Sequence, residues 1–191
     1  MSASEHLTFP ALERSIVSFD ASAFEAIDRS RMKLRSLNKC SLKDARDQFR
    51  SCCGSSNWAR CMALARPFGS IAEMEAAADR IWSQCSHQDW LEAFSAHPRI
   101  GERSESKWSR QEQAGVTAAA SSMHAALAEA NRKYESRFGY IFIVCAADKS
   151  ALEILEILLR RLRNDPETEI EAAAEQQRLI TRLRLSKLLS E

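Results

Sequence analysis

Chain breakers are scarce here: five Gly and four Pro are spread over 191 residues, and only two Tyr are present. A sheet-rich protein needs turn residues every few positions, so this poverty argues against one. Excess charge is also missing. Basic and acidic residues number 27 and 26, for a formal net charge of +1. No broad basic field exists to hold nucleic acid. Long apolar runs are absent too. The longest, Tyr140 to Ala147, is far short of the roughly 20 residues that span a bilayer, so no membrane partner is expected. The N-terminus scatters Glu5, Glu13 and Arg14 among its apolar residues, which is not the core of a signal peptide. The six cysteines (Cys40, Cys52, Cys53, Cys61, Cys85 and Cys145) form no CxxC pair and no zinc-like spacing with histidine. Neither a metal site nor a disulfide framework is expected, and reduced thiols imply an intracellular protein.

What is present is helix-forming. Ala, Leu, Arg and Glu abound, with 45% hydrophobic and 28% charged residues, as in a soluble globular domain. The fold expected is all-α, a single-domain bundle of about seven to nine helices. Residues 1–36 read as a partly ordered extension with room for a short helix from Phe19 to Leu34, and residues 37–191 as the domain. Ser41 caps a helix carrying Leu42, Ala45, Phe49 and Cys52, with Gly54 just past its end. Trp58, Cys61, Met62 and Ala65 mark a second helix, stopped before Pro67. Ser70 and Glu73 form a capping-box pattern for a third. A fourth starts near Ser86 and must end near His97, because Pro98 follows. Ser109 and Glu112 repeat the capping box before a helix that runs to Phe138 and closes at Gly139. Leu152, Leu155, Leu159 and Leu162 mark another, and the last spans about Glu167 to Leu189. Tyr140 to Ala146 is the one strand-like stretch. Without a partner strand it is expected to be extended and buried between helices.

Four features carry candidate chemistry. His97 projects from a helix end, a good place for an acid–base group, although a histidine there can also simply bond a loop. Glu112 and Gln113 follow Ser109. Ser109 and Glu112 are a ready helix cap, yet a helix N-terminus also offers N–H groups to an anionic or carbonyl ligand. Arg184 lies between Ile180 and Leu188 on an apolar stripe, where a guanidinium requires an anion from the protein or from a ligand. Arg182 instead reads as solvent-facing. The extended Phe142-Ile143-Val144-Cys145-Ala146 is core by composition, with backbone amides left over for a ligand. A Cys145–His97 hydrolase pair and a non-catalytic helical interaction module are the competing readings.

Taken in order, several strings resemble the family of 2-oxo-4-hydroxy-4-carboxy-5-ureidoimidazoline (OHCU) decarboxylases over about residues 37–189. They are Cys52-Cys53-Gly54-Ser55, Arg66-Pro67-Phe68, Trp90-Leu91-Glu92-Ala93-Phe94, His97-Pro98-Arg99-Ile100-Gly101, Ser109-x-x-Glu112-Gln113-Ala114-Gly115, Phe138 to Ala146, and Leu183-Arg184-Leu185. The resemblance implies a cofactor-free, stereospecific decarboxylation that yields (S)-allantoin and CO2 in urate degradation. It implies His97 as the acid–base residue, with Glu112 and Arg184 also in the catalytic set. Pro98, Ser109, Gln113, Phe142, Ile143, Val144, Cys145 and Ala146 are implied as substrate-binding. A homodimer is implied, as is functional coupling to a hydroxyisourate hydrolase, to which the family is fused in plants. A stand-alone enzyme and one half of such a fusion (or its retained scaffold) both stay open. Some relatives end in a Ser-Lys-Leu peroxisomal address; Ser186-Lys187-Leu188 is internal here, so the compartment reads as peroxisomal or cytoplasmic.

Overall fold

A computed structural model of the chain describes residues 21–99, 118–147 and 149–190. Its described residues form eight helices and no strand: α1 Ala21–Lys39, α2 Leu42–Cys53, α3 Ser56–Leu64, α4 Ile71–Ser83, α5 His87–Ser95, α6 Ala118–Phe138, α7 Ala151–Arg161 and α8 Pro166–Ser190. None of them is long and apolar enough to cross a membrane.

Serine begins most of these helices, for a physical reason. A hydroxyl one residue before the first turn accepts an N–H that has no intrahelical partner. Ser41, Ser55, Ser70, Ser86 and Ser150 each accept from the amide three residues on. Ser86–Asp89 and Ser150–Glu153 close full capping boxes. Ser70–Glu73 closes only half of one, because the Glu73 carboxylate reaches past Ser70 to the amide of Gly69 at 2.7 Å. The expected Ser109–Glu112 box lies outside the described residues. At the other ends, Gly54 and Gly139 take positive φ, 92° and 80°, as the residue following a helix often must.

Two apolar cores result. The larger gathers Leu34 and Leu37 of α1, Phe49 of α2, Trp58 and Met62 of α3, Met74 and Trp82 of α4, Phe94 of α5, and Leu185 and Leu189 of α8. Leu34 falls within the segment read as an extension, yet it is buried in this core. The smaller core joins Leu127 and Tyr134 of α6 to Ile154 and Leu158 of α7. Residues 141–146 form neither helix nor strand, and their buried side chains alternate as those of an extended chain do. Successive side chains of an extended chain point to opposite sides, so Ile143 enters the larger core while Phe142 and Val144 enter the smaller. One segment thus pins the two cores together.

The helix marked by the four leucines is α7, and its inward face carries a charge as well. Leu155 and Leu162 pack against the smaller core, while Leu152 and Leu159 are 53% and 48% exposed. Ile154, Leu158 and Arg161 are the buried set. Arg161 is drawn inward by the fully buried Glu169 of α8. Its Nε donates to Glu169 Oε1 at 2.8 Å and its Nη1 to the Ile143 carbonyl at 2.7 Å. Tyr134 donates its hydroxyl to the same carboxylate, and Asn164 Nδ2 donates to Oε2 at 2.7 Å. A buried charge is tolerable only when paired and hydrogen-bonded this fully.

Candidate active site

Helix α5 stops where Pro98 forces it to, and His97 sits on that stop with its amide donating to the Phe94 carbonyl at 3.1 Å. Its Nδ1 lies 3.0 Å from the carbonyl oxygen of Ala93. A carbonyl can only accept, so Nδ1 carries the hydrogen and Nε2 keeps the lone pair. That Nε2 is buried and has no partner among the described residues. Burial, then the positive charge of Arg184, hold the His97 pKa below its usual value; bonding to the Ala93 and Phe94 carbonyls offsets this only in part. At neutral pH the group is therefore a neutral imidazole with a dry, unused basic nitrogen.

Arg184 approaches from α8, half-buried, and donates from Nη1 to the Cys52 carbonyl at 3.2 Å. No carboxylate pairs with it among the described residues. The internal ion pair that sequence reasoning kept open is absent there, and an anion is still called for. Arg182, two residues away, behaves as expected of the outer face: it is 45% exposed and pairs with Asp79 at 3.0 Å. Helical spacing alone had separated the two arginines.

The thiols near Arg184 are not nucleophiles. Burial raises the pKa of Cys52, and raises that of Cys53 to about 11, against the weaker opposing pull of the Arg184 charge. Both stay protonated at neutral pH. That weakens a thiolate reading for this region of the protein.

The remaining positions divide in three. Pro98 is exposed beside His97, and the chain after it is tied down by Arg99, which grips Glu135 of α6 with two bonds at 2.9 and 2.7 Å. In the extended segment Phe142, Ile143, Val144 and Cys145 are buried and Ala146 is exposed. The Cys145 amide is already engaged, donating to Gln176 Oε1 at 3.1 Å, and the Ile143 carbonyl accepts from Arg161. Ser109, Glu112 and Gln113 lie outside the described residues. Sequence reasoning missed Gln176, a half-buried α8 residue one helical turn before Ile180, and it missed Arg161. Neither carries a local signal, because each is held by a partner on another element. A surface groove of about 670 Å3 runs between α1 and the start of α4, lined by Ile27, Arg31, Asn38 and Ile71 among others, and borders none of these groups.

The described residues form an all-helical protein in which the charge of Arg184, from α8, acts on the neutral imidazole at the end of α5. The chain belongs to the OHCU decarboxylase family, whose model matches residues 38–186. It is 40% identical over 154 residues to the uric acid degradation bifunctional protein TTL of Arabidopsis thaliana, covering 76% of this chain and 47% of that protein. The chain thus spans about half the length of that relative. An OHCU decarboxylase of Haloferax volcanii is 29% identical over 128 residues, covering 65% of this chain and 76% of the relative. Among solved structures, an OHCU decarboxylase crystallised in the presence of (S)-allantoin superposes with a TM-score of 0.65 at 42% identity, covering 76% of this chain and 99% of that one. An (S)-allantoin synthase shares the fold at 19% identity, with a TM-score of 0.63 over 81% of this chain and 53% of that one.

Proposed function

We propose that this chain decarboxylates OHCU to (S)-allantoin and CO2 with its own side chains, and that His97 is the acid–base residue. The observation that carries the reading is the buried Nε2 of a neutral His97 under the influence of Arg184, the first with no hydrogen-bond partner and the second with no carboxylate among the described residues. Such a pair fits a substrate that brings both a carboxylate and an exchangeable proton. The substrate supplies its own electron sink. As the C–CO2 bond breaks, its electron pair passes into the ring, and CO2 departs. Nε2 takes the proton of the ring hydroxyl, leaving a carbonyl, and returns one proton to carbon on a single face. The ring nitrogen that receives the electron pair takes one further proton from solvent, so the carboxylate plus one proton gives CO2 and neutral allantoin, with no electron gained or lost.

Arg184 binds the carboxylate as a planar fork, and the backbone of Phe142 to Ala146 holds the carbonyl oxygens. Glu112 acts with them in the catalytic set, while Pro98, Ser109 and Gln113 bound the hydroxyl and ureido groups. These assignments are carried from the family motif. A domain of residues 37–191 preceded by an extension of residues 1–36, a homodimer, coupling to a hydroxyisourate hydrolase, and a peroxisomal or cytoplasmic address complete the reading. The interaction-module alternative gives no reason for a buried imidazole nitrogen under the influence of a cation.

The test generates the unstable substrate in situ from urate with the two preceding enzymes, then follows the optical activity of allantoin. Wild-type protein should yield the S form rapidly, and folded His97→Ala should fall back by about 10²–10⁴-fold. Racemic product at the spontaneous rate with wild-type protein, or full turnover by His97→Ala, would refute the proposal.

A further inference from the structure

The string Cys52-Cys53-Gly54-Ser55 has no part in the chemistry described above, yet it touches both helices that carry the reacting groups. On the α8 side it offers its last two helical carbonyls. Arg184 Nη1 donates to that of Cys52 at 3.2 Å, and Gln177 Nε2 to that of Cys53 at 3.3 Å. Gln177 and Arg184 are seven residues apart, so they share one stripe of α8. On the α5 side the approach is closer still. A Cβ placed on Gly54 would meet the Ala96 Cβ at 2.7 Å, the Ala93 carbonyl oxygen at 3.2 Å and the Ala93 Cα at 3.3 Å. The Ala93 carbonyl is the one that orients the His97 ring. Beyond the corner, the amide and hydroxyl of Ser56 donate to the Glu92 carboxylate at 2.9 and 2.6 Å, fixing α5 from a second direction.

A short relay therefore runs from the guanidinium through the Cys52 carbonyl and Gly54 to the Ala93 carbonyl and the imidazole. Glycine is required twice over, by φ of 92° and by the missing Cβ. We propose that the Cys52–Ser56 corner is a positioning element that sets the separation and mutual orientation of His97 and Arg184, with Gly54 as the residue that permits the spacing. This rests on the acid–base and binding roles given to those two groups, but its geometry is testable apart from them.

Gly54→Ala in the full chain is the direct probe. The added methyl should push α5 outward and carry the imidazole away from the guanidinium. Turnover number should drop about tenfold or more, with KM changed less than about threefold, since a shift of about 1 Å at a reacting group costs up to 10²-fold. The His97 ring titration, held down by burial and then by the Arg184 charge, should move up in NMR as the ring is displaced and Arg184 recedes. Adding Ala96→Gly removes the 2.7 Å clash and should recover much of both changes. Gln177→Met, which withdraws the α8 donor at similar volume, should shift both readouts the same way and carries the test if Gly54→Ala does not fold. An unmoved His97 titration in folded Gly54→Ala, or in Gln177→Met in its place, would overturn the proposal even where activity falls. Arg184→Gln is the reference, because it raises that titration whatever the two residues do to substrate. Full turnover by His97→Ala would instead count against the functional reading, and the titration would still decide the geometric one.

Discussion

At the scale of single residues, the depressed His97 pKa has a consequence for stability. The unfolded chain protonates this imidazole below about pH 6.5, while the folded chain resists because burial and Arg184 disfavour the cation. Protons then favour the unfolded state. The contribution is complete above the unfolded pKa and is lost as pH falls toward the folded one. Melting temperatures of wild type and His97→Gln, recorded from pH 8 to 5, should therefore converge as pH drops, because only wild type carries this penalty. Parallel curves would show that the imidazole titrates as freely in the fold as in water. Arg184 gives a second prediction at this scale. Arg184→Lys keeps the charge but loses the planar fork and the reach to the Cys52 carbonyl. KM should rise about tenfold, as for the loss of a charge-assisted bond of about 1.5 kcal/mol, and an unchanged KM would make Arg184 a packing residue only.

The elements show what a sequence can and cannot disclose. Helix ends were legible because their chemistry is local: Ser41, Ser86 and Gly54 act within one turn of themselves. His97 was legible for the same reason, its position being dictated by Pro98. The separation of Arg184 from Arg182 followed from spacing within one helix. Partners across helices were not legible. Four leucines marked α7 as a helix, but their spacing did not say which of its other residues face inward. The true face includes Arg161, and only Glu169 on the neighbouring helix makes that affordable. Gly54 was read as a helix terminator, which it is, but its contact with Ala93 and Ala96 requires α5 to be in place. The Arg161–Glu169 pair has its own test. Burial first, then its bond to Glu169, push the Tyr134 phenol above its usual range, so it stays a donor to the carboxylate. Glu169→Gln leaves a buried guanidinium without its anion and should cost about 3–5 kcal/mol in denaturant unfolding. It should also loosen the 142–146 segment, whose Ile143 carbonyl Arg161 holds. A loss under about 1 kcal/mol would mean that water relieves the cation.

For the molecule as a whole, the question is whether two cores make one cooperative unit. The larger core is built mostly from α1 to α5 and α8, and the smaller from α6 and α7. They share no helix in their buried sets, yet the 140–146 segment sends Ile143 into one and Phe142 and Val144 into the other. The buried Arg161 adds a second tie, reaching from α7 to Glu169 of α8 and to the segment itself. Opening either core would expose apolar side chains of the same few residues and break a charged network, so neither should melt alone. Met62→Ala in the larger core and Leu158→Ala in the smaller, both fully buried, should each cost about 2–5 kcal/mol. Each should shift a single calorimetric transition, with far-UV and near-UV signals moving together. A second transition appearing in Leu158→Ala alone would make α6 and α7 a separately folding unit, and the extended segment a tether between two bodies.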